Sequence, residues 1–589
     1  MIKKLVRQMF IAQTLSALSV SLCLLIDNVM IGRFLGVDAL AAYGLANPIL
    51  LVIGALGSML GAGVQVVCSR SLGRGSREET DQGYSSAIFT AAVLSLIFVL
   101  AVVIFRIPIA RLMGAGEGDI LKQTSSYMAG FVIGAPASMG ALILVPFLQI
   151  AGKTNLLIAA VLGMTVSDIG LDLLNALVFN GGMFGMGLAS SISYYVAVII
   201  GGMYFFSKNC VFKFSVRRIC LAKIRELFVG GVPTVVGMAA TVVMVFAINK
   251  ILLPVGGTAA VAAFSVINTI GSASNCISTG SSGVSLTMSG ILFNEEDRTG
   301  LNDYLKTLII TGIVAGIVMM AILMVIAPFV VALFIGRETD SSKMATEGLR
   351  LFALGLAPCC VNNAFRGFYQ GTGRIKTMEI ISVMENAILP VLAAFVLSRI
   401  FGITGAWLYM AAGELLTVFG ILLYTWIRNK RFTLRLEDIM MVPDSVGVRP
   451  EDMMEADIRD LNEVVEFSRK AEQFCTEHGQ NPVIGRNLSL CIEEMGTNIV
   501  TRGISEAEKE RHLLIRLLYK GNKWVLRFRD DCREFNPLEH MPDNAQSDDV
   551  GILIVMHMAD EARYTYSMNL NNLMLILKNT QAAGSTEMS

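Results

Sequence analysis

The sequence predicts an all-α polytopic membrane protein of about twelve transmembrane helices in two six-helix repeats, followed by a cytoplasmic α/β sandwich. Three observations carry this reading. Residues 9–427 form a succession of apolar runs of spanning length, about 20 residues or more. Short motifs recur in pairs at one fixed spacing. After Arg428 the chain turns charged, with RNKRFTLRLEDIMMVPDSVGVRPEDMMEAD, and all four histidines (His478, His512, His540, His557) lie beyond it.

Composition agrees. The 589 residues are 54% hydrophobic and only 16% charged, against about 25% charged in soluble domains. Lys+Arg 47 balances Asp+Glu 47, so net charge gives no sign of a nucleic-acid partner. The 10 cysteines include no CxxC pair, and adjacent Cys359-Cys360 would bridge poorly. All ten read as packing residues of a reducing or membrane setting. MIKKLVRQ runs into apolar sequence with no small-residue cleavage site, so no cleavable signal peptide is expected.

By hydropathy the spans fall near 9–34, 42–70, 84–106, 124–150, 156–179 and 184–207, then 225–253, 260–292, 303–335, 345–371, 375–399 and 403–427. The connection SKNCVFKFSVRRICLAKIRE between the sixth and seventh carries six basic residues and one acidic, which places it in the cytoplasm. The basic N-terminus, the RSLGRGSR loop and RNKR lie on the same side of a twelve-span chain. Both termini are therefore expected in the cytoplasm, with the spans in the plasma membrane. The expected divisions are a lobe at 1–215, a lobe at 216–432, a linker at 433–450 and a soluble domain at 451–589.

The halves repeat. LAAY (40–43) matches VAAF (261–264), FVIG (131–134) matches FALG (352–355), and FLQIAGK (147–153) matches FYQGTGR (368–374), all at one constant offset. Six spans per half give both repeats the same orientation. They are then related by an axis along the membrane normal, an arrangement found in secondary transporters with a site between the halves.

Within the first span, LCLLIDNVMI (22–31) contains Asp27. A mid-bilayer aspartate costs about 2.5–3.5 kcal/mol on insertion scales, and such a residue faces the protein interior or water. No histidine occurs before residue 432, so a proton switch in the spans would use carboxylates. Asp27, Asp168, Asp172, Glu379, Glu385 and Glu414 are the ones that lie more than two residues inside a span. Asp168 and Asp172, one helical turn apart, share one helix face. Two carboxylates that close either bind a cation or share a proton. Pro48, Pro136, Pro233, Pro358 and Pro390 fall inside spans, where proline permits bending.

DNVMIGRFLGVDALAAYGLANP, SRSLGRGSREE, FLQIAGK and DIGLDLLNALVFNGGMFGMGLASSIS resemble the multidrug and toxic compound extrusion (MATE) family over residues 1–430. The resemblance implies a cation-coupled antiporter exporting organic, often cationic or amphipathic, compounds by alternating access. In the branch with its cation site in the N-terminal half, the first span carries an aspartate. The fifth carries Asn-x-x-x-Asp, and the sixth a hydroxyl at a set distance beyond that aspartate. Asp27, Asp172 and Ser190 match, spacing included, and Asp168 replaces the asparagine. Oxygen ligands suit Na+; a carboxylate pair equally suits H+. Asn249 stands near the Asp27 position of the second half, one place off register, which favours a site in the first half.

In the soluble part, NLSLCIEEMGTNIVTRG (487–503) reads as an amphipathic helix and HLLIRLLYKGNKWVLRFRD as a hairpin turning at KGNK. GILIVMHMADEAR (551–563) reads as a second helix and NLMLILK as a last strand. This stretch resembles the histidine-kinase-like ATPase fold, nearest the anti-sigma-factor kinases. The resemblance implies that Glu494 acts on a water, that Asn498 holds the Mg of Mg-ATP, and that Asp530 bonds adenine, with Gly551 in the later glycine box. Cys532, Glu534 and Asp549 stand where that fold has glycines, which let the backbone approach phosphate. There is no GxxxxGK[ST] loop, so ATP is not expected to drive transport. The leading expectation is an antiporter with a cytoplasmic ATPase-like regulatory domain and a protein partner. The alternatives are a lipid or polysaccharide-precursor flippase and a membrane-tethered regulator or anti-sigma-like kinase.

Overall fold

The computed structural model describes every residue except 1, 114, 116–117, 208–209, 336–339, 431–432, 434, 444–445, 505–510, 540–549 and 579–589. The chain divides into two compact units. One holds Ile2–Gly73 and Glu78–Val442; the other holds Pro443–Ser589 with Arg74–Arg77.

The first unit is helical. Its first half comprises α1 (Ile2–Met30), α2 (Val37–Gly73), α3 (Arg77–Leu112), α4 (Asp119–Val132), α5 (Ala135–Ile150), α6 (Thr154–Leu174) and α7 (Gly182–Gly202). The second half comprises α8 (Leu221–Ser274), α9 (Cys276–Asn294), α10 (Arg298–Ile335), α11 (Asp340–Ala353), α12 (Leu356–Gly371), α13 (Ile375–Val383), α14 (Leu389–Trp407) and α15 (Tyr409–Asn429). Among the described residues nine helices are long and apolar enough to cross a membrane, or eleven if the bent pairs α4–α5 and α11–α12 each count once. The expected twelve differ from this count at α8. Its 54 residues, about 80 Å at 1.5 Å each, break at Gly257, where φ is +65°.

The constant offset extends from motifs to backbone. Helices α10, α11, α12 and α13 begin at that same offset from α3, α4, α5 and α6. The bent pairs turn by 51° and 48°. Gly257 and Gly373, both at positive φ, repeat Gly36 and Gly152, also at positive φ. Helices α3 and α10 lie at the periphery, with only 22% and 17% of their most apolar windows buried. Their outer faces (Leu96, Leu100, Ile104; Val314, Val318, Phe329) suit lipid.

The α4–α5 bend frees backbone groups that a neighbouring helix satisfies. Ser191 Oγ on α7 accepts from the Gly134 N–H at 2.9 Å and lies 2.8 and 2.9 Å from the carbonyls of Gly130 and Phe131. The halves touch through small residues, the usual means of close helix approach in membranes. A side chain at Gly63 would strike the Leu227 carbonyl, one at Gly231 that of Met59, and one at Gly73 that of Ile291. Gly280 and Gly283 lie against Thr14 and Gln13. All these contacts fall towards the start of α1, the end of α2, the start of α8 and along α9.

The stretch expected as a linker is not uniform. Helix α16 (Leu436–Met440) belongs to the first unit, with Ile439 and Met440 buried. Tyr369 Oη donates to the Ile439 carbonyl at 2.9 Å, and Arg374 Nη1 to that of Met440 at 2.6 Å. Arg374 also bonds the Met441 carbonyl, and Arg298 Nη2 reaches that of Val442 at 3.2 Å.

The second unit contains an antiparallel five-stranded sheet, ordered β1 (Met453–Ile458), β2 (Leu513–Tyr519), β3 (Lys523–Asp530), β5 (Leu570–Lys578), β4 (Glu561–Ser567). The KGNK turn is present, with Lys520 N–H bonded to the Lys523 carbonyl at 2.9 Å and Gly521 at φ +70°. Period-2 alternation puts Leu513, Ile515 and Leu517 beside Trp524, Leu526, Phe528 and Leu575. These pack on Val464, Phe467 and Ala471 of α17 (Leu461–Glu477) and on Leu488, Cys491 and Ile492 of α18 (Pro482–Asn498). The expected helix 551–563 is corrected: α19 covers Val550–Met558, and Glu561 already begins β4. There, pairing of Tyr564 with Leu573 overrides local helical propensity. The soluble part also holds strand β1 and helix α17 ahead of the amphipathic helix at which the sequence reading begins.

Candidate functional site

Four sequence-selected residues come together in the first half. Asp27 sits on α1, Asp168 and Asp172 on one face of α6, and Ser190 on α7. They are 5%, 3%, 1% and 6% exposed. The Asp27 carboxyl adjoins Asp172 and Ser190 and feels the charge of Asp168. Asp168 lies beside Cys23 and Ser193. Asp27 Oδ1, Asp168 Oδ1 and both Asp172 oxygens are buried without a hydrogen-bond partner among the described residues. None of the three forms an ion pair there either. Buried acceptors are nearly always satisfied, so these four oxygens, unpartnered among the described residues, fit a bound cation or protons.

Local structure fixes the cluster. Asn175 opens a π-turn after α6 (Asn175–Phe179) and ties it to α7: its Oδ1 accepts from Gly181 N–H at 3.1 Å and its Nδ2 donates to the Gly182 carbonyl at 3.1 Å. Cys23, Tyr43, Tyr127 and Tyr194 surround the acids. Sequence reasoning missed them, although Cys23–Asp27 and Ser190–Tyr194 carry the same one-turn spacing as Asp168–Asp172. Asn249 Oδ1, in the other half, is likewise buried without a partner among the described residues.

In the soluble unit a cavity of about 690 Å³ is lined by Asn498, Arg502, Arg511, Asp530, Glu534 and Tyr564 among others. Of the four selected residues, Asn498 and Asp530 line it. Glu494 and Gly551 pack together beside it, where a side chain at Gly551 would strike Glu494 Oε2. Asn498 Nδ2 donates to the Glu494 carbonyl at 2.9 Å. Asp530 Oδ1 accepts from Asn571 Nδ2 at 2.7 Å and from Cys532 N–H at 3.0 Å. Burial raises the Asp530 carboxyl above its ordinary pKa, and these two hydrogen bonds oppose the rise. Burial and the neighbouring Asp530 push the Cys532 thiol up to about 12, so it is neutral packing against Gly503. Asp549 lies outside the described residues.

A duplicated helical bundle whose interior carboxylates have no basic partner among the described residues is a multi-pass membrane transporter. A family model described as MatE matches residues 13–174 and again 233–396, once in each half. The chain belongs to that family. It is 25% identical over 419 residues to the multidrug export protein MepA of Staphylococcus saprophyticus, covering 70% of this chain and 91% of that one. MepA of Staphylococcus aureus strain MSSA476 is 25% identical over 411 residues, covering 68% and 88%. Among solved structures, MATE in complex with MaL6 superposes with TM-score 0.67 at 19% identity, covering 73% of this chain and 96% of that one. An outward-facing multidrug resistance MATE transporter of the MOP superfamily superposes with TM-score 0.65 at 20% identity, covering 73% and 96%.

Proposed function

We propose that this chain is a cation-coupled antiporter that exports organic cationic or amphipathic compounds by alternating access. The carboxylate cluster of Asp27, Asp168 and Asp172, with Ser190 beside it and no basic partner among the described residues, carries the reading. Three acids without a basic partner attract cations, and Na+ or H+ would alternate there with substrate release. The MepA relatives, named as multidrug exporters, support the substrate class. Twelve spans follow when α8 is divided at Gly257, giving lobes at 1–215 and 216–432 with both termini in the cytoplasm. On that topology the glycine contacts between the halves close the cytoplasmic end, which supports an outward-facing reading. Proteoliposomes under an imposed Na+ or H+ gradient test the proposal. The native protein exchanges a fluorescent organic cation against one gradient; Asp27→Asn does not. Retained gradient-driven exchange in Asp27→Asn would overturn it.

For residues 451–589 we propose an ATPase-like α/β sandwich that regulates transport, with Mg-ATP held at Asn498 and Asp530 and a cytoplasmic protein as its partner. Arg502, Arg511 and Arg533 line the same cavity and supply positive charge that the missing glycines do not. Titration of the full-length protein with a fluorescent ATP analogue tests this. Saturable binding, weakened about tenfold or more in Asn498→Ala (about 1.4 kcal/mol), supports it. No binding at millimolar concentration overturns it and leaves a protein-docking module.

A further inference from the structure

A second buried polar cluster lies in the other half, away from Asp27. It is built on α12 (Leu356–Gly371), whose run CCVNNAFR presents Cys359, Asn362, Asn363 and Arg366 to two glutamates. Glu385 stands on a π-turn (Met384–Ile388) and Glu414 on α15; each is 3% exposed. Neither position repeats an acid of the first cluster: at the repeat offset their counterparts are Met164 and Ser193.

The two acids are treated differently. Both Glu385 oxygens are satisfied, Oε1 by Asn363 Nδ2 at 3.1 Å and Oε2 by Arg366 Nη1 at 3.2 Å. That is a closed ion pair. Glu414 has no cation of its own among the described residues. Its Oε2 accepts from Asn362 Nδ2 at 2.7 Å, and the same nitrogen donates to the Glu414 carbonyl at 2.9 Å. Because a carbonyl only accepts, these bonds fix which end of the amide is nitrogen. The other end, Asn362 Oδ1, belongs to a wholly buried residue and has no partner among the described residues. It is an acceptor without a donor, beside a carboxylate without a countercharge.

One proton satisfies both. A protonated carboxyl facing a primary amide forms a cyclic pair: N–H donates to one carboxyl oxygen while O–H donates to the amide oxygen. We propose that Glu414 is a proton-binding site of the C-terminal half, its acidic hydrogen donated to Asn362 Oδ1 beside the fixed Glu385–Arg366 ion pair. The charged and titratable groups facing Glu414 are Cys359, Cys360 and Arg366 from α12 and Glu385 from the π-turn. Counted together, two carboxylates face one guanidinium, and the proton brings the buried group to neutrality.

The same residues exclude a divalent metal on donor chemistry. Cys359, Glu385 and Glu414 do bring three potential ligand atoms within 4.8 Å of one another. Arg366 and the two amide nitrogens, however, already occupy three of the four carboxylate oxygens. The fourth, which meets no amide or guanidinium donor among the described residues, accommodates a proton and cannot by itself complete a coordination shell.

Infrared difference spectra of the full-length protein in bilayers, recorded between alkaline and acidic pH, test the assignment. The native protein gains carboxylic-acid C=O intensity as pH falls. E414Q, which keeps the Asn362 contact, loses the component equivalent to a single carboxyl, and D27N retains that component. N362A shifts the component to higher frequency, because its strong hydrogen bond is gone; this arm serves if E414Q proves unstable. Spectra of E414Q or N362A that match the native protein overturn the proposal. So does stoichiometric loss of the component on adding zinc that C359A abolishes, which would identify a metal site. The outcome is independent of the Asp27 cluster, since D27N reports on that cluster separately.

Discussion

Asp27 is a buried charge whose Oδ1 has no hydrogen-bond partner among the described residues and whose nearest ionisable neighbours are also acids. Removing an uncompensated buried charge relieves a desolvation penalty. Asp27→Asn is therefore expected to abolish coupled transport while leaving the melting temperature equal or higher. A structural hydrogen bond at Asp27 would give the opposite pair of results, so transport and thermal unfolding measured on one preparation check it. Asp530 supplies a pH test in the soluble unit. Its folded-state pKa lies above the ordinary value of 3.8. Its proton thus adds stability that is present in full below 3.8 and is lost as pH rises through the raised value. Asp530→Asn, which keeps an acceptor for Asn571, should melt higher than the native unit at neutral pH. The gap should close on acidification, read by thermal scans of a 443–589 fragment. At this scale the acids were legible because charge in an apolar run is conspicuous. Asn362 was not, because an asparagine one turn from other polar residues leaves no mark until its unmet oxygen is seen.

The bent pairs are the elements that hydropathy alone could not resolve. Residues 124–150 read as one uninterrupted apolar run, and Pro136 marks a bend without giving its angle. The bend persists because Ser191, from another helix, serves the Gly134 N–H and the carbonyls before it. Ser191→Ala should destabilise the protein by about 1–3 kcal/mol, the usual effect of stranding a buried backbone group. Ser191→Thr, which keeps the hydroxyl, should lose less, as thermal unfolding in detergent would show. Element boundaries in the soluble unit were the other illegible part. DEAR resembles a helix end by composition, and only pairing with β5 makes a strand from Glu561 onward.

Over the whole molecule, the duplication was the most legible feature, because a constant offset in sequence imposes a constant offset in helix ends. The division of the chain was less so. Charge and proline mark residues 433–450 as different, yet Tyr369, Arg374 and Arg298 hold 439–442 against the first unit. Cutting before Pro443 should give a fragment that unfolds cooperatively, since its core (Phe467, Leu488, Trp524, Phe528) is its own. Cutting within α16 should lower the melting temperature of the membrane part. The seam between the halves makes a further prediction: Gly63→Ala should favour the opposite state and slow exchange, visible as altered cysteine accessibility from the two sides.

That seam is in large part backbone against backbone, at Gly63, Gly73 and Gly231, and its economy has a mechanical meaning. A closure made of large interdigitated side chains must unpick many contacts before it parts. One made by glycine faces on carbonyls is a smooth valve seat, shallow in energy and tight only while nothing protrudes. In the proposed transport cycle such a gate would give way to the small free energies that one ion or one proton delivers, and a single added methyl would jam it.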